Sequence, residues 1–253
     1  MSGSTDETPT EEAAAELVAE ACRILGRLEL THYSFGHVSY RLDERTMLIK
    51  GKGPDESGLR YTEVDDIIKV DFDANVVSGR PGLRAPSESF LHIWLYKGKP
   101  ATRSVVHVHP ETAVLLTMCD KPIRPFYGSY GLGVQMAIAG VPVYPRSCRI
   151  ENDELGAELA DFMGDGDHTL LRGHGVAVRG TGVEDAVVRT LQLNELTTMT
   201  YKAYLLGEPR VISDEDIAAY STPLDESRPR GSAGGRSGVL ATYRYYRRLA
   251  EEK

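Results

Sequence analysis

Val105-Val106-His107-Val108-His109-Pro110 places two imidazoles two residues apart behind an apolar, β-branched run. The run reads as a buried strand, and side chains at i and i+2 of a strand point to the same face. His107 and His109 therefore converge on one point, where they can grip a single metal ion. Pro110 fits the first turn of a following helix. Two packed histidines, each satisfied by hydrogen bonds, is the other reading of this stretch.

A divalent site in an enzyme wants a third protein ligand and room for substrate. Arg172-Gly173-His174-Gly175-Val176 offers one, between the short apolar strands Thr169-Leu170-Leu171 and Val176-Ala177-Val178. The glycines let the backbone turn tightly and approach a ligand, and a histidine between them has no evident packing role. In Ala85-Pro86-Ser87-Glu88-Ser89-Phe90-Leu91-His92, Ser87 reads as the N-cap of a helix with Leu91, Trp94 and Leu95 at helical spacing. Glu88 then lies in the first turn, where the helix dipole favours its ionised form. An ordinary first-turn glutamate has the same local signature.

Taken in chain order, Gly36-His37-Val38-Ser39, Pro86-Ser87-Glu88, the HxH pair and the isolated His174 resemble the class II aldolase/adducin family, over about residues 12–215. That family includes fuculose-phosphate and rhamnulose-phosphate aldolases, ribulose-phosphate 4-epimerases, several decarboxylases and the non-enzymatic adducin head domain. The resemblance implies an α/β fold: a central, mostly antiparallel sheet covered by helices in α-β-α layers. It implies that His107, His109 and His174 hold one divalent ion per subunit and that Glu88 is the acid/base carboxylate. Zn, Mn, Co and Fe(II) all suit such ligands. The full set points to an enzyme, since a protein-binding head domain does not need it.

The chain departs from the phosphosugar enzymes of that family in its expected substrate pocket. Those carry Gly-Asn-x-Ser where His37 and Ser39 stand here, and small hydroxyl residues around a glycine where this chain has Ile49-Lys50-Gly51-Lys52-Gly53. Lys50, Lys52, Arg60 and Arg84 can supply charge-assisted bonds to a carboxylate, or be solvated surface cations. His37 offers a group that titrates near neutral pH, or is a core histidine bonded to a carbonyl. Ser39, Lys52, Arg84 and Ser87 are the expected substrate contacts, and Glu88, His37 and Tyr130 the expected catalytic groups. Tyr130 stands for the tyrosine that family members bring over the metal, with Tyr127 and Tyr220 as alternatives. Aromatic packing at a subunit interface is the other reading of these tyrosines.

Family chemistry is the stabilisation of a carbanion by a metal acting as a Lewis acid. A bulkier, more cationic pocket suits the decarboxylation of a hydroxylated aromatic carboxylate. An aldolase or epimerase acting on a small sugar or sugar phosphate, an iron-dependent oxygenase and an adducin-like binding module are the alternatives. The resemblance also implies a homotetramer with sites at subunit boundaries. A C-terminal helix bearing Tyr243, Tyr245 and Tyr246 could supply part of that interface.

Composition fits one soluble, cytoplasmic domain: 253 residues with 41% hydrophobic content suffice for one sizeable core. A net charge of −8 gives no global attraction to nucleic acid or an anionic membrane. No apolar run approaches the roughly 20 residues of a membrane span, and the polar start lacks the apolar stretch of a signal peptide. Cys22, Cys119 and Cys148 are scattered without a CxxC, which fits a reducing cytosol.

The expected layout is a disordered tail at 1–10, a catalytic domain at 11–220, a linker at 221–236 and a terminal helix at 237–253. Within it, helices are expected at 11–29, after Ser87, at 110–118 and at 153–163. Strands are expected at His37–Leu42, Met47–Lys50, Ile67–Asp71 and Val141–Tyr144, besides the HxH strand and the Gly-His-Gly hairpin. Thr181-Gly182-Val183-Glu184 has capping-box spacing and should open a long helix burying Val187, Leu191, Leu196, Met199, Ala203 and Leu206.

Overall fold

The computed structural model describes residues 9–127, 133–221 and 236–252. Most of the expected tail and linker lies outside these residues, as does Tyr130. The β-branched runs build β1 (His37–Arg41), β2 (Thr46–Lys50), β3 (Ile67–Asp71), β4 (Val76–Ser78), β5 (Ser104–Val108), β6 (Val143–Tyr144), β7 (His168–Leu171) and β8 (Gly175–Gly180). They form one sheet in the order β4-β3-β2-β1-β5-β8-β7-β6. Among the described residues only the β6–β7 pair is parallel, so the sheet is mostly antiparallel, as expected.

The helices are α1 (Glu11–Arg27), α2 (Ser89–Gly98), α3 (Glu111–Met118), α4 (Val134–Ala139), α5 (Asp153–Met163), α6 (Val183–Leu206), α7 (Asp214–Ser221) and α8 (Arg236–Glu251). Strand alternation sorts the apolar side chains into two cores. Val38, Val106, Val108 and Val178 pack with Val18 and Leu25 of α1 and Val187 and Leu191 of α6. On the other face Met47, Ile49, Val105 and Ala177 pack with Leu91 and Leu95 of α2 and Leu159 of α5. The result is the expected α-β-α layering.

Register then positions the polar residues. In the β1–β5 ladder His37 stands opposite His107 and Ser39 opposite Val105. Directly opposed residues share a face, so His37, Ser39 and His107 all point toward the α2 layer.

Several local expectations need correction. Ser87 is not an N-cap: α2 starts at Ser89, and Glu88 occupies the cap position without a side-chain cap bond. Its carboxylate is drawn instead to the Ile150 backbone N–H at 3.0 Å. Pro110 precedes α3 as its cap residue rather than lying in its first turn. The capping box at Thr181 and Glu184 does not form, because Asp185 takes the Thr181 N–H and hydroxyl. On α6, Met199 and Leu206 are exposed, since the last turns of this helix run past the core. Among the described residues no helix is long and apolar enough to cross a membrane.

Candidate metal centre and its cleft

His107 ends the HxH strand fully buried, and its Nδ1–H donates to the Val176 carbonyl at 2.8 Å. That bond leaves the lone pair on Nε2, the arrangement a metal-ligating imidazole needs. The Gly-His-Gly turn brings His174 over it. Gly173 takes a left-handed φ of 58°, and a Cβ on Gly175 would lie 2.4 Å from the Val108 carbonyl oxygen. Both glycines are therefore required for the hairpin to close against the HxH segment.

His107, His109, His174 and Glu88 each offer one ligand atom, and these atoms all lie within 4.8 Å of one another. The two Nε2 atoms of His107 and His109 are 2.9 Å apart. Glu88 Oε2 is 3.4 Å from His107 Nε2 and 3.6 Å from His174 Nε2. Ligands about 2.0–2.2 Å from one ion stand roughly 3.3–3.6 Å apart in a tetrahedron, so the donor set fits a divalent cation.

Electrostatics agree with that fit. Burial lowers the His109 imidazole to about 3, with help from His107 and His174, so it is a neutral lone-pair donor. Burial alone would raise the Glu88 carboxyl, yet positive charge at His107 and His174, the place where protons on Nε2 stand in for a cation, holds it far below the carboxylate range. Glu88 is thus an anion facing three imidazoles, where a cation would replace protons.

A cleft of about 290 Å³ opens beside this cluster, lined by Glu88 and His109 and by His37, Lys52, Arg84 and Ser87. Lys52 and Arg84 exchange backbone hydrogen bonds of 2.9 and 2.8 Å in an isolated antiparallel bridge. Their side chains therefore leave the same rim side by side. Lys52 is partly engaged by Glu56 at 3.3 Å, whereas Arg84 has no carboxylate within ion-pair distance among the described residues. Phe35 also lines the cleft, half exposed, with its ring 5.8 Å from that of His109. Arg149 completes the wall, although its Nη2 lies 3.1 Å from Glu151.

Other expected site residues stand elsewhere. Ser39 is fully buried and bonds to His92 and Tyr96 instead of reaching the cleft. Lys50 is also fully buried and pairs with Glu56, because its position on β2 turns it toward α1. Arg60 lines a separate depression with Tyr33 and Tyr61. Tyr127 packs against the α1–α6 core with its hydroxyl buried. Tyr243 donates to Glu20 at 2.8 Å and is buried within its own chain, so it is not free for an interface. The side chain of Tyr220, like all of Tyr130, lies outside the described residues.

Sequence reasoning missed Phe35, Arg149, His92 and Ile150. Phe35 carries a signal, as an aromatic directly before the Gly36-His37 turn. Arg149 and Ile150 carry none, since only the tertiary fold brings that loop to Glu88.

Comparisons with known proteins converge on one group. Residues 16–201 match the model of the Class II Aldolase and Adducin N-terminal domain. A 3,4-dihydroxyphthalate decarboxylase of Arthrobacter keyseri is 36% identical over 221 residues, covering 85% of this chain and 89% of that one. An aldolase II superfamily protein from Pseudomonas syringae superposes with a TM-score of 0.79 at 21% identity, covering 98% of this chain and 95% of that one. L-fuculose 1-phosphate aldolase from Glaciozyma antarctica gives 0.77 at 17% identity, over 97% and 94%.

Proposed function

The chain belongs to the class II aldolase/adducin family, and from that premise we propose that it is a divalent-metal-dependent lyase that removes carbon dioxide from an ortho-hydroxylated aromatic carboxylate. The observation that carries this reading is the composition of the cleft. Beside the His/Glu cluster stand an aromatic edge, Phe35, and three cations, Lys52, Arg84 and Arg149. Those groups suit a planar acid, the aromatic edge facing its ring and the cations a carboxylate. The 36% identity to a decarboxylase of 3,4-dihydroxyphthalate supports the same class of substrate.

In this proposal His107, His109 and His174 hold the ion, and Glu88 faces it. Bound there, a divalent ion would act as a Lewis acid on the substrate's hydroxyl oxygen. Glu88, kept ionised, accepts the hydroxyl proton and returns it to the ring carbon that bears the departing carboxylate. The carbon–carboxylate bond then breaks, its electron pair restoring the aromatic ring as carbon dioxide leaves. Arg84 and Lys52 hold a retained carboxylate by charge-assisted bonds, and Ser87 lines the entrance. Tyr130 remains our candidate for a second acid. We further propose a cytoplasmic homotetramer whose metal is Zn, Mn, Co or Fe(II).

The test is a paired assay of metal-loaded protein with hydroxylated phthalates and with fuculose and rhamnulose phosphates. Carbon dioxide from the aromatic acids and little aldehyde from the sugars is the expected result. Aldehyde from a phosphorylated sugar, with no carbon dioxide from any aromatic acid, would assign the same residues to an aldolase.

A further inference from the structure

Behind the cleft runs a buried chain of polar side chains for which the proposed reaction has no use. Tyr96 OH lies 2.6 Å from Ser39 Oγ, Ser39 Oγ lies 2.7 Å from His92 Nδ1, and His92 Nε2 lies 2.8 Å from His37 Nδ1. Ser39, His92 and Tyr96 are completely inaccessible, and His37 is 4% exposed. Only His37 lines the cleft. With Nδ1 turned inward to His92, the ring nitrogen it has left for the cleft is Nε2.

The direction of the protons along this chain follows from counting donors and acceptors. His92 Nε2 and His37 Nδ1 share one hydrogen bond, so one of these two nitrogens is a bare lone pair. With both rings buried and no carboxylate within ion-pair distance among the described residues, each ring carries one proton. In one direction Tyr96 donates to Ser39, Ser39 to His92 Nδ1 and His92 Nε2–H to His37 Nδ1, and the proton of His37 sits on Nε2. In the other, His37 Nδ1–H donates to His92, His92 Nδ1–H to Ser39, and Ser39 to the phenol oxygen. The phenol proton then has no acceptor, because Ser39 is the one side chain that hydrogen-bonds the Tyr96 hydroxyl among the described residues. A buried donor left unmade costs about a factor of 5–150 in population, so the first direction prevails.

We propose that the Tyr96–Ser39–His92 chain fixes His37 in the tautomer that presents Nε2–H to the cleft, making His37 a hydrogen-bond donor to an oxygen of the bound substrate and His92 a positioning residue. His37 is then not a proton-abstracting base. This role leaves Glu88 as the group that moves the proton and gives a bound carboxylate a neutral donor beside the cations. The inference about substrate contact rests on the proposed acid-binding cleft. The tautomer itself rests on the buried chain alone.

The test is the tautomer of His37 in zinc-loaded protein labelled with 15N at histidine, read from long-range proton–nitrogen spectra. The His37 signals are assigned by their loss in His37→Asn. The expected result is a single neutral tautomer protonated at Nε2, for His37 and for His92. Ser39→Ala removes the donor to His92 and should make the second His37 tautomer detectable. In Tyr96→Phe the second direction would orphan the Ser39 hydroxyl proton in place of the phenol's, since His92 and Tyr96 are the partners of that hydroxyl, so one tautomer should remain. A His37 protonated at Nδ1 in the parent protein, or an unchanged spectrum in a folded Ser39→Ala, would overturn the proposal. Because this readout needs no turnover, it is separable from the decarboxylase reading. A protein with the expected tautomer but no carbon dioxide release would overturn only that reading.

Discussion

Ile150 donates its backbone N–H to Glu88 Oε1 at 3.0 Å, leaving Oε2 turned toward His107 and His174. One oxygen of the carboxylate is thus committed to orientation and the other to the cluster. This division explains why a glutamate at the mouth of α2 forgoes the helix cap it could have made. It also ties the loop that carries Arg149 to the group proposed to move the proton.

Glu88→Gln keeps the shape and can still accept the Ile150 N–H, so fold and metal content should be retained. Turnover should fall by at least ~10²-fold, as for loss of a general acid–base group. Parallel measurement of bound metal and initial rate checks this. An unchanged rate would mean that another group transfers the proton.

His107→Ala, His109→Ala and His174→Ala should each abolish stoichiometric metal binding, measured by elemental analysis after dialysis. Three imidazoles converging within one ligand sphere leave no substitute donor at the remaining positions. A variant that retained one tightly bound ion per chain would exclude that histidine from the ligand set.

Arg84→Met should raise KM for an aromatic acid by about 10- to 100-fold with metal content unchanged, the worth of a charge-assisted hydrogen bond. Lys52→Met should act in the same direction but less, because Glu56 already shares its ammonium. A fall in kcat without a change in KM would move Arg84 from holding the substrate to the chemical step.

Lys50 and Glu56 form a pair whose side chains are 0% and 4% exposed. Glu56→Gln should cost about 3–5 kcal/mol, since it strands a buried ammonium. Burial would raise the Glu56 carboxyl, but the hydrogen bond and charge of Lys50, aided by Lys52, hold it below its ordinary value. Its contribution is therefore complete above the unfolded carboxylate pKa of about 4.3 and is lost as the pH falls toward the lower folded value. Urea melts between pH 6 and 3 should show the parent losing stability over that range by more than Glu56→Gln does. Parallel curves would contradict the assignment.

A homotetramer should give a light-scattering mass about four times that of the 27.8 kDa chain. The half-exposed Phe35 and the more exposed Tyr33 beside the cleft are the surface such an assembly would cover. A mass near that of one chain would contradict the expected state.

Strand periodicity made much of the sheet legible: β3 and α5 fall where the sequence places them, and β1 and β2 shift by one residue. Apolar alternation and the stop at Gly164 are strong local signals. Where local signals were weak, the structure supplied the answer. β4 is exposed along its length, and α7 starts with three acidic residues rather than an apolar face. In the site, the histidine cluster could be inferred because i and i+2 on a strand and a glycine-flanked turn fix direction locally. Ser39 was misjudged because its neighbours, His92 and Tyr96, come from a helix packed across the sheet. The cation set was only half legible. Lys50 and Lys52 lie two residues apart, yet Lys50 is buried in its pair with Glu56 while the Arg84 bridge holds Lys52 at the cleft.

Metal-dependent decarboxylation is decided by release of labelled carbon dioxide from a carboxyl-labelled dihydroxyphthalate, measured before chelation, after it and after metal is restored. Release should stop when the metal is stripped and return on addition of one divalent equivalent per chain, in the parent but not in His107→Ala. Release that continues undiminished in metal-free protein would contradict it.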